Sequence, residues 1–371
     1  MKIGITLDMS KAFWVNGMQQ HIVFLYDLFT RIGHDCFYIS KGPPQHSMHK
    51  KHKGMTFSDL TRDPDENFDI IMVAGFDIPI ESIEELKKRN KNLKIIAAHF
   101  GNKLQIDAFN SMFSARYPNK EYVLNPKKMG RSIDQIWMLP HHASAVEYVK
   151  AYYANDNVII TPMIWEPSFI QDKIKELKKK KLSPLFSEDA VKKICVFEPN
   201  NNMLKTCFVP IMICERLETE KPNHLESINI FCADKIRERK YFEAYMKRLN
   251  LLSKKDFCYF NGRWGSLNAL SKFGSTVISH QTDNEYNFAT FEQLYMGLPV
   301  IHNCPSLSEV GYYYPDNNIT MGANQLYSAT VNHKQEHSKY KEQARKKLKE
   351  FSPFDQKNIG IFKKLLDDLV K

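Results

Sequence analysis

The sequence predicts an α/β chain of two domains, each built on a parallel sheet. Three observations carry that expectation. Short apolar runs recur along the chain, each followed by a polar loop and then by an amphipathic helical pattern. At 371 residues the chain exceeds one ordinary core and suits two domains of common size. The pattern also restarts with a strand near residue 193, after a basic stretch containing Pro184. These features place a first domain at 1–165, a linker at 166–190 and a second domain at 191–335. A helical tail at 336–371 follows.

In the first half, Ile3-Gly-Ile-Thr-Leu7 reads as a buried strand. A loop leads from Asp8 to Gly17 and into a helix with Ile22, Leu25, Phe29 and Ile32 along one side. Gly33 stops that helix and Cys36-Phe-Tyr-Ile39 forms the next strand. Strand, glycine-bearing loop, helix and strand make a Rossmann-like opening without the full dinucleotide fingerprint. Gly17 is a candidate for close phosphate approach, and His21 stands one helical turn beyond it. The stretch 42–65 reads as a polar loop. Further strands are expected at Asp69-Ile-Ile-Met-Val73, Lys94-Ile-Ile-Ala-Ala-His99 and Ile133-Asp-Gln-Ile-Trp-Met-Leu139, with a helix from Ser144 after the last. His99 and Lys103 fall at a strand's carboxyl end, where such sheets display ligand-binding groups. For His21 and His99 the plain alternatives are a surface histidine and a histidine ending a buried strand.

In the second half, Lys193-Ile-Cys-Val-Phe-Glu-Pro199 is the opening strand and 200–205 its loop. A helix is expected to run on to Arg216, kinked at Pro210 because proline lacks the N–H that the ladder needs. Lys205 is a point charge suited to phosphate. Ile228-Asn-Ile-Phe-Cys232 precedes a helix expected at 235–251, with Tyr241, Tyr245 and Leu249 inward. Phe257-Cys-Tyr-Phe260 ends in Asn261-Gly-Arg-Trp-Gly265, where Arg263 offers a fork for diphosphate. Trp264 suits base stacking or ordinary packing, and packing is the commoner fate. Thr276-Val-Ile-Ser279 then leads through a polar loop to a helix beginning near Asn287 and closed by Gly297. A helix N-terminus favours anions, so Asn287, Thr290 and the adjoining backbone N–H groups are phosphate candidates. Glu292 lies in the same first turns.

The segment 275–303 resembles the donor-sugar signature of GT-B glycosyltransferases. In that signature a polar or acidic residue precedes a glutamate by eight positions, and E-A-x-x-x-G-x-P-V-I follows. Here Asn284 precedes Glu292 by eight, followed by Gln293-Leu-Tyr-Met-Gly297-Leu-Pro299-Val-Ile301, and Glu285 stands one residue late. The variant N-x-x-x-x-E-x-x-Y-x-G-x-P-x-x-H-N, with W-x-N-G-x-x-Q near the start, is similar to a little-characterised glycosyltransferase-like family. The resemblance implies two Rossmann-like domains facing a cleft. It implies Glu292 on the nucleotide ribose, Asn284 or Glu285 on the donor sugar, and Gly17, Lys205 and Arg263 at the diphosphate. It also implies a metal-independent, retaining sugar transfer, with His99 or His21 as the base if the reaction inverts. Donors would be UDP-, GDP- or dTDP-sugars, and acceptors glycans, lipids or proteins. A nucleotide-sugar epimerase and a non-catalytic sugar-nucleotide or glycan-binding protein remain open readings.

Composition bounds the partners. The chain is 43% hydrophobic with a net charge of +10, and much of the excess sits in basic runs at 49–53, 178–181 and 345–347. Such runs are usually solvated faces, although the first suits peripheral contact with an anionic membrane or acceptor. With no zinc-finger spacing, RNP-like motif or aromatic-interleaved basic stripe, nucleic acid is excluded as a partner. Seven cysteines without a C-x-x-C pair read as reduced thiols. The opening strand and the absence of a long apolar run suggest a cytoplasmic protein, and the resemblance implies that no metal or cofactor is required.

Overall fold

The computed structural model describes residues 1–10, 17–43, 52–113 and 125–371. The chain divides into two compact units, Met1–Glu166 with Phe351–Lys371, and Pro167–Glu350. Trp14 and Asn16 of the N-terminal motif, and residues 49–51 of the first basic run, lie outside the described residues.

Among the described residues, the first unit carries a seven-stranded sheet with the order β3-β2-β1-β4-β5-β6-β7. Its strands are β1 (Lys2–Thr6), β2 (Asp35–Ser40), β3 (Gly54–Thr56), β4 (Ile70–Val73), β5 (Lys94–His99), β6 (Gln135–Met138) and β7 (Val158–Ile160). Every pairing is parallel. The central strands are apolar on both faces because helices cover both, and Ile3, Ile5, Ile71, Ile95 and Ile136 are all essentially inaccessible. The helix Gly17–Arg31 packs Phe29 against Trp137 and against Phe362 of the final helix, Gln356–Val370. The stretch 42–65, expected to be a loop, contains β3 and the helix Phe57–Arg62. Thr56 and Asp59 form a capping box there, a local signal hidden in a polar stretch.

The second unit carries a six-stranded sheet, also parallel, in the order β10-β9-β8-β11-β12-β13. The strands are β8 (Lys193–Val196), β9 (Ser227–Ile230), β10 (Cys258–Phe260), β11 (Thr276–Ser279), β12 (Val300–His302) and β13 (Tyr312–Tyr313). Strand order reverses between β8 and β11, the switch point at whose carboxyl ends open α/β sheets offer a crevice to ligands. The helix after β8 begins only at Phe208, so Lys205 lies in a loop and Asn200 to Asn202 cap nothing. Pro210 therefore falls in the first turn, where its missing N–H breaks no ladder bond, and the expected kink is absent. In place of one helix over 235–251 stand two short ones, Asp234–Arg237 and Lys240–Met246, followed by a 3-10 turn. That break turns Phe242 and Met246 inward and leaves Tyr241 86% exposed. The long helix Ile319–Lys349 starts well before 336, and Asn318 caps it by accepting from the Met321 N–H.

Gly274 enters β11 where a Cβ would stand 2.2 Å from the Lys193 carbonyl oxygen. Gly274→Ala must push β11 away from β8, and overpacking of this kind costs roughly 1–3 kcal/mol. A lowered urea midpoint with an unchanged m-value is the expected result.

Candidate functional site

The crevice of the second unit is organised around a residue to which the sequence reading gave no role. Glu198 follows β8 and is 1% exposed. Its carboxylate accepts hydrogen bonds from Ser279 Oγ at 3.1 Å, the His280 backbone N–H at 3.1 Å and Gln281 Nε2 at 2.6 Å. All three donors belong to the end of β11 and its loop, so one side chain from the β8 loop clamps its neighbour. Burial lifts the Glu198 carboxyl to about 7, opposed first by the positive charge of Lys205 and then by these bonds. The available signal was its position, a carboxylate directly after an apolar run at the carboxyl end of the domain's first strand.

The two loops are fixed by asparagines. Asn200 adopts φ 54°, which its short polar side chain tolerates, and its amide donates to the carbonyls of Glu198 and Cys232 while its oxygen accepts from Cys207 N–H. Asn303 grips the Gln281 backbone at both N–H and C=O, at 2.9 and 2.8 Å. Thr282 N–H donates to the Leu204 carbonyl, joining the two loops directly. His280 Nδ1 shares a 2.9 Å hydrogen bond with the Tyr314 hydroxyl, and burial lowers this imidazole to about 4.

The predicted residues of this unit separate into two groups. Asn284, Asn287, Thr290 and Glu285 are engaged by the fold itself. Asn284 donates to Gln281 Oε1 at 3.2 Å, and Glu285 accepts from Ser306 Oγ at 3.1 Å. Asn287 caps the helix Phe288–Met296 by accepting from Ala289 N–H, and Thr290 Oγ1 donates to Ser279 Oγ. The N–H groups of Asn287, Ala289 and Thr290 also have internal acceptors, because the cap closes the first turn on itself. Lys205 is partly buried and makes no ion pair within 4 Å among the described residues. Burial pulls its ammonium below the usual lysine range, and Glu198 pulls the other way. Arg263 is exposed in the loop after β10, where its charge reaches the Cys232 thiol. Glu292 is half-buried on the helix. Trp264 packs edge-on against Phe273, its face approached by Lys272 Nζ, and stays 39% exposed.

In the first unit, Gly17 opens its helix and His21 is 1% exposed, so it is not a surface histidine. Its ring lies 4.6 Å from that of Phe100, and burial lowers it to about 3. His99 ends β5, stacks on Tyr153 at 5.5 Å and is lowered to about 4 by burial and by Lys103. Its Nε2 has no hydrogen-bond partner among the described residues. Lys103, 5% exposed, pairs with Asp107, which also accepts from the Tyr148 hydroxyl, and its ammonium sits 4.0 Å from the Tyr152 ring centre. No group of three metal-ligating side chains gathers among the described residues, and no helix there is long and apolar enough to cross a membrane.

Solved structures share this architecture over essentially the whole chain. Anabaena HepE bound to UDP-glucose matches with a TM-score of 0.57 at 11% identity, covering 99% of this chain and 100% of its own. TarM of S. aureus, bound to fondaparinux, alpha-GlcNAc-glycerol and UDP, gives 0.58 at 11%, covering 100% and 99%. An alpha-glucosyltransferase bound to UDP and a 13-mer DNA containing an HMU base gives 0.59 at 10%, covering 100% and 99%. The two parallel-sheet, Rossmann-like domains are thus those of the GT-B fold. The exclusion of nucleic acid is overturned, since a protein of this fold is seen bound to DNA. No curated protein matches the sequence. A family model described as "Protein of unknown function (DUF2827)" matches residues 3–366, and the chain belongs to that family.

The raised carboxyl of Glu198 has a consequence for stability. Its folded-state value exceeds the unfolded one, so the folded state holds the extra proton and stability falls as pH rises from about 4.5 through 7. At about 1.4 kcal/mol per unit, the loss is on the order of 3 kcal/mol. The buried histidines act oppositely, destabilising as pH falls below their unfolded value. Glu198→Gln should therefore gain on the wild type from pH 5 to about 7 and then level off, read as the difference between two urea-unfolding series. A difference that stays flat with pH would show that the carboxyl ionises as readily folded as unfolded.

Proposed function

We propose that this member of the DUF2827 family transfers a sugar from a nucleotide-sugar to an acceptor, without a metal and with retention at the anomeric carbon. The observation that carries the reading is Lys205, an unpaired ammonium beside the reversal of strand order, held in a loop that the Glu198 clamp and the Asn200 turn fix in place. The diphosphate leaving group gains negative charge as the glycosidic bond breaks, and a preorganised cation stabilises that charge at little cost in reorganisation. Lys205 and Arg263 supply it. Glu292 holds the ribose hydroxyls, as its place in the signature implies. Asn284 and Glu285 face the sugar, while Asn287 and Thr290 shape the loop through their internal bonds.

Retention is favoured because it needs no protein base. A general base works best with a pKa near the operating pH, and both histidines considered for that role are held far below it. His99 is the better placed of the two to contact a sugar or acceptor hydroxyl, through its Nε2. The acceptor class follows from none of these residues.

Thermal-shift and calorimetric titration with UDP, GDP and dTDP test the reading. A ligand that binds only the folded protein raises its Tm. One nucleotide should do so. Lys205→Met should weaken it by about 10-fold or more, the loss expected for a charge-assisted bond of roughly 1.5–3 kcal/mol. Arg263→Ala and Glu292→Ala should each weaken it as well. No shift with any nucleotide in the wild type would sink the proposal.

A further inference from the structure

Glu198 has no part in the transfer as proposed, and its burial at the centre of a donor site for an anion requires an account. A glutamate beside the cation that is to receive a diphosphate weakens that cation's field. It is also too enclosed to meet the ligand, at 1% exposure. Its three hydrogen bonds, from Ser279, His280 and Gln281, hold it in the interior, where the charge of Lys205 still acts on it.

We propose that Glu198 is a proton-coupled member of the donor site, taking up one proton from solvent when a nucleoside diphosphate docks against Lys205. This inference rests on the donor reading above. Every charged or titratable group facing the carboxylate fits it. Lys205 is the cation that favours its ionised form. His280 donates through its backbone N–H, while its ring is kept neutral by burial and turned to Tyr314. Tyr314, Cys207 and Cys232 all feel the Glu198 charge and are themselves pushed up, hence neutral. Lys205 is therefore the only full positive charge acting on Glu198 among these groups. An anion seated on that ammonium cancels its field, and the buried carboxylate is then better accommodated as the neutral acid.

The surrounding hydrogen bonds suit both forms. As a carboxylate, Glu198 accepts from Ser279, His280 and Gln281. As an acid it must donate once, and Ser279 Oγ can accept that proton, because a hydroxyl both donates and accepts. Ser279 is itself followed by the Thr290 hydroxyl at 3.2 Å, which can reverse with it. No bond beyond O–H is made or broken, and the proton comes from water. The site would thus bind its anion together with the charge that compensates it, and release both when the nucleotide leaves.

Calorimetric titration at about pH 8, where the terminal phosphate of a nucleoside diphosphate is fully ionised, measures this directly. UDP and GDP are titrated in buffers of different ionisation enthalpy, with wild type and Glu198→Gln compared. The expected result is an apparent enthalpy that varies with buffer in the sense of proton uptake, lost in Glu198→Gln. The wild-type Kd should also rise between pH 7 and 9, by up to about tenfold per unit for a full proton, while that of Glu198→Gln stays level. Binding without uptake, or uptake that persists in Glu198→Gln, overturns the inference and leaves the donor site standing. Absence of binding by the wild type overturns the donor reading itself. The buffer series needs only the wild type, so an unstable variant does not block the test.

Discussion

Burying the Glu198 carboxylate sets the terms for the rest of the second unit. Taking an ionised group out of water costs several kcal/mol unless hydrogen bonds and an opposite charge replace the solvent. Here the replacement comes from one short stretch, 279–281, through a hydroxyl, a backbone N–H and an amide. The loop after β11 can satisfy the carboxylate only in one arrangement. The requirement that Glu198 be solvated by protein thereby fixes the shape of the loop. Asn303 holds that loop from the far side, and Asn200 and Thr282 hold the loop after β8. An anion docking here, as proposed, would meet loops already ordered.

The helix that carries Glu292 is anchored with similar economy. Gly297 closes it at φ 79°, and its carbonyl accepts from His333 Nε2 at 3.0 Å. The Tyr340 hydroxyl then donates to the Leu298 carbonyl and accepts from Val300 N–H, bridging the turn into β12. Both partners come from the long helix Ile319–Lys349, whose inner face also carries Leu326 and Ala344 into the core. These buried rings are paired, as polar groups in a core must be. They fix where the helix ends, and so the angle at which its first turns meet the loop.

Sequence reading recovered what is encoded in runs and lost what is encoded in folding. Strands such as Ile70–Val73 and Thr276–Ser279 are legible because a strand covered on both faces must be apolar throughout, and Gly297 because few residues adopt its φ. Pro210 was misjudged by a helix start two residues away, since a proline that breaks an interior turn is at home in a first turn. The break near Glu238 rotates Tyr241 outward, and no period in 235–251 announces it. Within the candidate site, Lys205 and Arg263 were singled out by residue type and strand-end position, and Glu292 by its place in the helix and in the signature that the segment resembles. Glu198 was passed over because a lone glutamate is usually solvated, and only three-dimensional neighbours reveal that this one is enclosed. The nucleic-acid exclusion failed for a related reason. Duplex binding depends on where charges lie on a folded surface, and local motifs are only one way of placing them.

Protonation reduces the electrostatics of the crevice to a few terms. His280 and His302 are buried and pushed to about 4, so neither contributes charge near neutral pH. The cysteines there are raised and stay as thiols. What remains is Lys205 and Arg263 on one side and the acidic side chains of Glu198, Glu285 and Glu292 on the other. Burial lifts the Glu198 carboxyl to about 7. On the proposed donor reading, the positive potential offered to an anion would strengthen as that enclosed carboxyl takes its proton. A second lysine in place of Glu198 would give a stronger field, but it would leave Ser279, His280 and Gln281 without their common acceptor and the loop without its reason to hold its shape. The glutamate is structural support for that loop and, on the proposed reading, support whose charge is withdrawn when the ligand arrives.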